Sequence, residues 1–198
     1  MNTVFDMLQS WGISRQWTLF LDRDGVINRK IEQGYVLRYA DFEFLDDSPL
    51  AIARLGQFFG RIVGITNQQC VGKKMLLETD LQALLSDMLR DIAKAGGKID
   101  CFYYCPHLQQ DNCACRKPNT GMGLQAKSDF PDIDFTQSVM VGDSVSDMQF
   151  ARKLGMKTVF ITGNDNSYFP YHHRSLIDLQ CGALSDLAAI FEEWQSIK

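Results

Sequence analysis

The sequence predicts an α/β protein built on a doubly wound parallel sheet, and two observations lead to this class. Short runs of β-branched and aromatic residues alternate with helical patterns along the 198-residue chain, which is the order that a parallel sheet requires. Polar residues also follow four of these runs directly. Function in open parallel sheets lies at the carboxyl ends of the strands, so the same pattern predicts where a site forms.

Five strands and three helices are predicted in order along the chain. The strand-like runs are residues 17–22, 61–66, 100–104, 138–142 and 157–162. The first helix is predicted to begin at Ser48, which can cap it, and the second where Thr79 and Gln82 have the spacing of a capping box. The third runs from about residue 146 to Gly155. No repeat or linker interrupts these elements, so residues 1–198 are expected to form one domain.

Composition excludes several classes of partner. The chain has 24 acidic and 20 basic residues, a formal charge of −4, and no block of Lys or Arg, so neither nucleic acid nor a membrane surface is an expected partner. No signal peptide or membrane span is readable at the N-terminus. We therefore expect a cytoplasmic protein, acting as a monomer on a small molecule. Residues 1–16 are expected to form either a packed helix or an oligomer contact.

Two aspartates close to each other follow the first predicted strand. Asp22 and Asp24 are separated by Arg23 and followed by Gly25. In an extended chain, residues two apart share a face, so we expect the two carboxylates together and Arg23 pointing away. Neighbouring carboxylates repel unless a cation lies between them or one holds a proton. The pattern favours a Mg²⁺ site in which one carboxylate is a nucleophile and the other an acid; an acidic turn is the simpler alternative.

A group of cysteines with one histidine predicts a second metal. Cys105, His107, Cys113 and Cys115 lie within eleven residues, and three thiolates with one imidazole are typical of a closed, structural Zn²⁺ site. Free buried thiols, or a cysteine pair that oxidises, are the alternatives. A non-enzymatic, zinc-stabilised binding module would need this cluster but not the two aspartates.

Two cations and a third carboxylate extend the predicted site. Arg116 and Lys117 follow the cysteine cluster directly and suit a phosphoryl group. Asp143 follows the strand at 138–142, with Asp147 one helical turn later. Asp143 therefore supplies a third oxygen ligand for Mg²⁺.

The order of these motifs resembles the haloacid dehalogenase superfamily of phosphoaspartyl transferases. The motifs are Asp-x-Asp-Gly at 22–25, Thr-Asn at 66–67, Lys-Pro at 117–118 and Gly-Asp-x-x-x-Asp at 142–147. The Cys-x-His-x5-Cys-x-Cys insertion resembles the histidinol-phosphatase-like branch of that superfamily. The resemblance implies a Rossmann-like fold with a small zinc loop and no large cap domain, so that segments 29–46, 68–77 and 105–115 shape the pocket. It also implies a heptose bisphosphate as substrate, with histidinol phosphate as the alternative.

The resemblance also implies a role for each residue at the first strand end. Asp22 is expected to attack phosphorus and form an aspartyl-phosphate. Asp24 is expected to protonate the leaving alcohol and then to activate water. Mg²⁺ is expected at Asp22, at the main-chain carbonyl of Asp24 and at Asp143.

The remaining roles concern the phosphate. Thr66 and Asn67 are expected to bind phosphoryl oxygens and Lys117 to neutralise their charge. Independently of the resemblance, Arg116, Lys73, Arg38 and Lys30 lie on segments expected to rim the pocket, where a second phosphate would need cations. One departure from the resemblance is Ser144, at a position where the heptose enzymes usually carry Lys. One cation that faces the substrate is therefore expected to be missing here.

Overall fold

A six-stranded sheet, parallel throughout, forms the centre of the protein. The computed structural model describes residues 4–45, 47–163 and 170–197. The strands are β1 (Thr18–Leu21), β2 (Arg61–Asn67), β3 (Cys101–Cys105), β4 (Ser138–Gly142), β5 (Lys157–Ile161) and β6 (Leu179–Cys181). Their order across the sheet is β3-β2-β1-β4-β5-β6. The doubly wound parallel sheet is thus confirmed, and all five predicted strands are present; β6 was not predicted.

Seven α-helices connect and cover these strands in the described part of the chain. They are α1 (Val4–Trp11), α2 (Ser48–Leu55), α3 (Gln69–Gly72), α4 (Glu78–Lys94), α5 (Gly121–Asp129), α6 (Val145–Leu154) and α7 (Leu184–Ser196). The three predicted helices correspond to α2, α4 and α6. Helix α1 is packed, because its Leu8 side chain is completely buried in the core.

Two of the predicted helix starts are wrong in detail. Ser48 is the first residue of α2 rather than its cap, because its hydroxyl donates to the carbonyl of Ile27 at 2.6 Å. Helix α4 begins at Glu78 without a side-chain cap. Gln82 does not complete a capping box; its amide instead donates to the hydroxyl of Tyr104 at 2.9 Å. In both cases the side chain that the local pattern predicts as a cap instead forms a hydrogen bond with a residue distant in sequence.

The two faces of the sheet carry separate cores, because successive strand residues point to opposite sides. On β1, Leu19 and Leu21 face the core covered by α2, α4 and α7, whereas Phe20 faces the core covered by α5 and α6. Since both faces are covered, β1 is buried along its whole length.

The strand order brings the ends of β1, β2 and β4 together. β1 pairs with β2 on one side and β4 on the other, and Leu21 lies opposite both Gly64 and Val141. The direction of winding reverses at β1, and such a reversal opens a crevice at the carboxyl ends of the strands. Among the described helices, none combines the length and the apolar character needed to cross a membrane.

Candidate active site

The end of β1 delivers Asp22 into this crevice. The backbone N–H of Asp22 donates to the carbonyl of Val141 at 3.0 Å, so β1 and β4 stay joined at this point. The chain then turns at Gly25, whose φ is +88°. A Cβ at Gly25 would lie 2.2 Å from a carboxylate oxygen of Asp143. A glycine is therefore required twice over here, for its φ and for the close approach of Asp143.

Asp22 is paired with the buried cation Lys117. Lys117 Nζ lies 2.8 Å from Asp22 Oδ1 and 2.6 Å from Asp147 Oδ1, and it donates to the carbonyl of Ile65 at 2.8 Å. Burial, with the charges of Asp147 and Asp143, raises the pKa of Asp22 to about 7, although the charge of Lys117 acts to lower it. Burial alone would lower the pKa of Lys117, but the two carboxylates raise it overall, so Lys117 is cationic.

Asp24 lies in a separate network of donors. Arg23 Nη2 lies 2.7 and 2.8 Å from its two carboxylate oxygens, Asn28 Nδ2 lies 3.0 Å from Oδ1, and Gln68 Nε2 lies 2.9 Å from Oδ2. Burial raises the pKa of Asp24, but the charge of Arg23 and these donated bonds outweigh it, so that its pKa is lowered overall.

The expectation that Arg23 points away from its neighbours is wrong. The regular alternation of side chains ends with β1 at Leu21, and the turn at Gly25 brings the Arg23 guanidinium back onto Asp24. Arg23 is 1% exposed. It is therefore a buried partner of Asp24 and not a surface residue.

The end of β2 contributes three polar side chains. Asn67 is hydrogen-bonded to the main chain of Lys117 twice: its Nδ2 donates to the carbonyl at 3.1 Å, and its Oδ1 accepts from the N–H at 3.0 Å. Gln68 donates to the hydroxyl of Thr66 at 2.8 Å. Asn67 therefore fixes the position of Lys117, a relation that sequence reasoning missed.

All seven predicted residues of the phosphate and magnesium site line one cavity of about 470 Å³. They are Asp22, Asp24, Thr66, Asn67, Arg116, Lys117 and Asp143. Other lining residues were not assigned to the phosphate or magnesium site from sequence, among them Tyr35, Gln69, Ser146 and Asp147. For Asp147 a signal was present, because Ser144 and Asp147 have the spacing of the capping box that they form at α6.

Three carboxylates in this cavity can hold a metal ion. Asp22, Asp143 and Asp147 each offer an oxygen, and these atoms lie within 4.8 Å of one another. Oxygen donors of this kind are those that Mg²⁺ prefers. Lys30 Nζ, on the cavity rim, lies 2.8 Å from Asp143 Oδ2. Burial and the charge of Asp147 raise the pKa of Asp143, against the opposing charge of Lys30.

The predicted zinc ligands converge at the end of β3. Cys105 Sγ lies 3.4 Å from Cys113 Sγ and 2.9 Å from Cys115 Sγ, and His107 Nδ1 lies 3.2 Å from Cys115 Sγ. All four ligand atoms lie within 4.8 Å of one another. The donor set of three thiols and one imidazole fits a tetrahedral Zn²⁺ ion.

The segments that line the cavity differ in part from those expected. Segments 29–46 and 68–77 contribute lining residues, among them Lys30, Tyr35 and Lys73, whereas Asp46 lies outside the described residues. The described lining residues do not include segment 105–115. This segment follows the edge strand β3 and lines a neighbouring cavity of about 430 Å³. The two cavities share Asn67, Arg116, Lys117 and Ser146, and of these Arg116 and Lys117 directly follow the segment with the four zinc ligands.

Comparisons with known proteins agree with this geometry. A family model described as HAD-hydrolase-like matches residues 114–168. A D-glycero-alpha-D-manno-heptose-1,7-bisphosphate 7-phosphatase of Mycobacterium tuberculosis is 39% identical over 139 residues, which cover 70% of this chain and 73% of the relative. The corresponding protein of Campylobacter jejuni is 40% identical over 151 residues, covering 74% and 83%. A Vibrio cholerae relative named for the beta anomer is 39% identical over 147 residues, covering 71% and 77%.

A solved structure is similar over nearly the whole chain. The D,D-heptose 1,7-bisphosphate phosphatase of B. bronchiseptica, crystallised with magnesium and phosphate, superposes with a TM-score of 0.80 at 30% sequence identity. The match covers 89% of this chain and 98% of that one.

Proposed function

The chain belongs to the haloacid dehalogenase-like hydrolases, in the group of heptose-1,7-bisphosphate 7-phosphatases, and on this basis we propose that it hydrolyses the 7-phosphate of a heptose 1,7-bisphosphate. It is a phosphoric monoester hydrolase by family. The observation that carries the proposal is the cavity in which Asp22 lies beside Lys117, Thr66 and Asp143.

The reaction proceeds in two steps at Asp22. In the first, a carboxylate oxygen of Asp22 attacks phosphorus, the bond from phosphorus to the alcohol oxygen breaks, and Asp24 gives a proton to that oxygen. Because its donors lower the pKa of Asp24, only the small protonated fraction of Asp24 supplies this proton at neutral pH. In the second, water attacks the aspartyl-phosphate, Asp24 takes a proton from the water, and Asp22 is released together with phosphate. The covalent intermediate divides one difficult displacement into two easier ones.

The surrounding residues act chiefly by position and charge. The transferred group spreads negative charge over its oxygens, and stabilising that charge accounts for most of the catalysis in phosphoryl transfer. Lys117 is held beside Asp22 by Asp147 and by the carbonyl of Ile65, so it places a fixed positive charge at the site of attack. The Thr66 hydroxyl accepts from Gln68, which leaves its own hydrogen to donate to a phosphoryl oxygen.

Magnesium fits the oxygen donors of the cavity. Asp22, the main-chain carbonyl of Asp24 and Asp143 would hold the ion. When bound, Mg²⁺ neutralises charge on the phosphoryl oxygens and orients them for attack. The carboxylate oxygens of Asp22 and Asp143 lie within 4.8 Å of each other, so these two ligands can converge on one cation.

We assign zinc a structural role at Cys105, His107, Cys113 and Cys115. Four protein ligands would complete a tetrahedral site and leave no position open for substrate. The site would fix the loop that precedes Arg116 and Lys117, two residues of the catalytic cavity.

A bisphosphate substrate needs cations for its second phosphate, and the cavity rim supplies them. Arg116, Lys73 and Lys30 all line the cavity. Lys73 Nζ donates to the hydroxyl of Tyr35, another lining residue, at 2.8 Å. Ser144, also a lining residue, stands where the heptose enzymes usually carry Lys. Lys30 is ion-paired with Asp143, and Arg38 is not among the described lining residues, so we assign the second phosphate to Arg116 and Lys73.

The test is a comparison of kcat/KM for both anomers of D-glycero-D-manno-heptose 1,7-bisphosphate with that for histidinol phosphate, at saturating Mg²⁺. Both anomers are needed because the names of the relatives divide between them. We expect the better heptose anomer to exceed histidinol phosphate by at least about tenfold, or about 1.4 kcal/mol of transition-state preference. Much of that lead should be lost in Arg116→Ala. Equal or reversed values in the unmutated enzyme would contradict the heptose substrate and leave the phosphatase chemistry standing.

A further inference from the structure

Gln68 connects two functional parts of the cavity. It follows β2 directly, and its side chain is 1% exposed. Its Nε2 donates to Asp24 Oδ2 at 2.9 Å and to Thr66 Oγ1 at 2.8 Å. A primary amide has two hydrogens to donate, so both are used on residues of the candidate site.

The position of this amide is fixed from several sides. The backbone N–H of Gln68 donates to the carbonyl of Cys105 at 2.8 Å, and its carbonyl accepts from Val71 at 3.2 Å. The side-chain oxygen accepts from the Cys70 thiol at 3.6 Å. With its backbone bonded to β3 and α3 and its oxygen bonded to Cys70, the amide nitrogen points toward Asp24 and Thr66.

The effect on Asp24 is to complete its set of donors. Arg23 contacts both carboxylate oxygens, Asn28 contacts Oδ1, and Gln68 contacts Oδ2. Donors on both oxygens fix the plane of the carboxyl group and therefore the direction in which it can transfer a proton. Arg23 and Asn28 reach Asp24 from its own loop, whereas Gln68 reaches it from β2, the strand that also carries Thr66.

We propose that Gln68 is a positioning residue for the phosphatase reaction. Its amide fixes the Asp24 carboxyl group and the Thr66 hydroxyl relative to each other at the neighbouring ends of β1 and β2. The inference rests on the proposed function, because it requires Asp24 to be the acid that protonates the leaving alcohol. An apolar side chain of the same size would fill the space equally well. It would leave Asp24 and Thr66 without their shared donor, and a buried group that loses its partner is costly.

The experiment varies the leaving group. An alkyl phosphate requires a proton on its departing oxygen, whereas p-nitrophenyl phosphate releases a stable phenolate without one. The ratio kcat/KM reports the first irreversible step, in which Asp24 gives its proton, so hydrolysis of the aspartyl-phosphate does not enter. General acid catalysis typically contributes about 10²–10⁴, so we expect Gln68→Met to lower kcat/KM for the sugar phosphate by about a hundredfold and that for p-nitrophenyl phosphate by less than about tenfold.

A double-mutant cycle tests whether Gln68 acts through Asp24. In an Asp24→Asn background the further change Gln68→Met should cost no more than about threefold, because coupled residues are not additive. Gln68→Leu also removes both donors and, like Met, introduces no new charge beside Asp24. It gives the same comparison of leaving groups should the Met variant fail to fold.

Gln125 supplies the matched control. Its Nε2 also donates to a carboxylate, Asp129 Oδ1 at 2.9 Å, but on the exposed side of α5. Gln125→Met should leave both kcat/KM values unchanged. An equal loss for the two esters in a folded Gln68 variant, or no loss, would overturn the role of Gln68. An unmutated enzyme inactive toward both esters would contradict the proposed function itself.

Discussion

The ammonium group of Lys117 lies 2.8 Å from a carboxylate oxygen of Asp22, with both side chains almost completely buried. Asp147, fully buried, is the second carboxylate on the same cation, at 2.6 Å. Removing one partner from such a buried group leaves uncompensated charge, whereas removing a matched pair does not. The arrangement makes Lys117 important for stability as well as for catalysis, and the two roles can be separated.

Lys117→Met should lower both activity and the free energy of unfolding. Asp22 and Asp147 would be left buried without their cation, at a cost of about 3 kcal/mol in stability. The double variant Lys117→Met/Asp147→Asn removes the charge but keeps an acceptor for the capping box of α6, so it should recover part of this stability and none of the activity. Denaturant unfolding and phosphatase assays measure the two effects. Lys153→Met, which loses only an exposed contact with the carbonyl of Pro118, is the control. A stable and active Lys117→Met enzyme would refute the assignment.

Asp22→Asn should abolish turnover while the protein remains folded. The variant cannot form the aspartyl-phosphate. Asp24→Asn should lower the turnover rate by several powers of ten, each of which corresponds to about 1.4 kcal/mol of activation free energy. Folding should survive because burial and neighbouring carboxylates already disfavour the charge of Asp22. Asp132→Asn, which breaks only a surface ion pair with Arg61, should keep full activity. More than a few per cent of Mg²⁺-dependent activity in folded Asp22→Asn would show that the nucleophile is another residue.

The purified protein should contain about one tightly bound Zn²⁺ per chain, separate from exchangeable Mg²⁺. Cys113→Ser should reduce the zinc content and the melting temperature before it affects the chemistry. Cys101→Ser is the matched control, because Cys101 lies on β3 outside the cluster. Metal analysis and thermal unfolding decide the question. Zinc-free protein of unchanged melting temperature would exclude a structural role for the metal.

Leu8→Ala should destabilise the protein by about 2–4 kcal/mol, the usual cost of a cavity at a fully buried leucine. Leu8 has no exposed surface, although it lies in the N-terminal segment that the sequence alone did not place. Gln9→Ala, on the exposed side of α1, should change stability little. Equal stability of the two variants would mean that α1 does not belong to the folded core in solution.

The sheet and the residues at its strand ends could be predicted from the sequence because parallel topology follows from local patterns. Once β1, β2 and β4 are placed side by side, Asp22, Thr66 and Asp143 must meet. The partners of these side chains could not be predicted in the same way. Arg23 returns to Asp24 because the chain leaves the strand at that point, and no periodicity extends into a turn.

Hydrogen bonds between residues far apart in the sequence could not be predicted either. The two hydrogen bonds between the side chain of Asn67 and the main chain of Lys117 join positions fifty residues apart. The spacing of residues in the sequence does not show which path the chain takes between them. Gln68 carried a weak signal, since residues two apart share a face in an extended chain and Thr66 precedes it by two. Strand β6 is short, with only three residues, so its pattern was below detection.

The place of β1 at the middle of the sheet has a consequence for synthesis on the ribosome. Its two neighbours are β2, which is made next, and β4, which comes more than seventy residues later. Until residues 138–142 emerge, one side of this apolar strand has no backbone partner, and an open apolar strand edge is a template for association with other chains. A nascent chain that stalls before β4 therefore leaves the β4-facing edge of β1 unpaired, and it does so before Asp143 is available to complete the site.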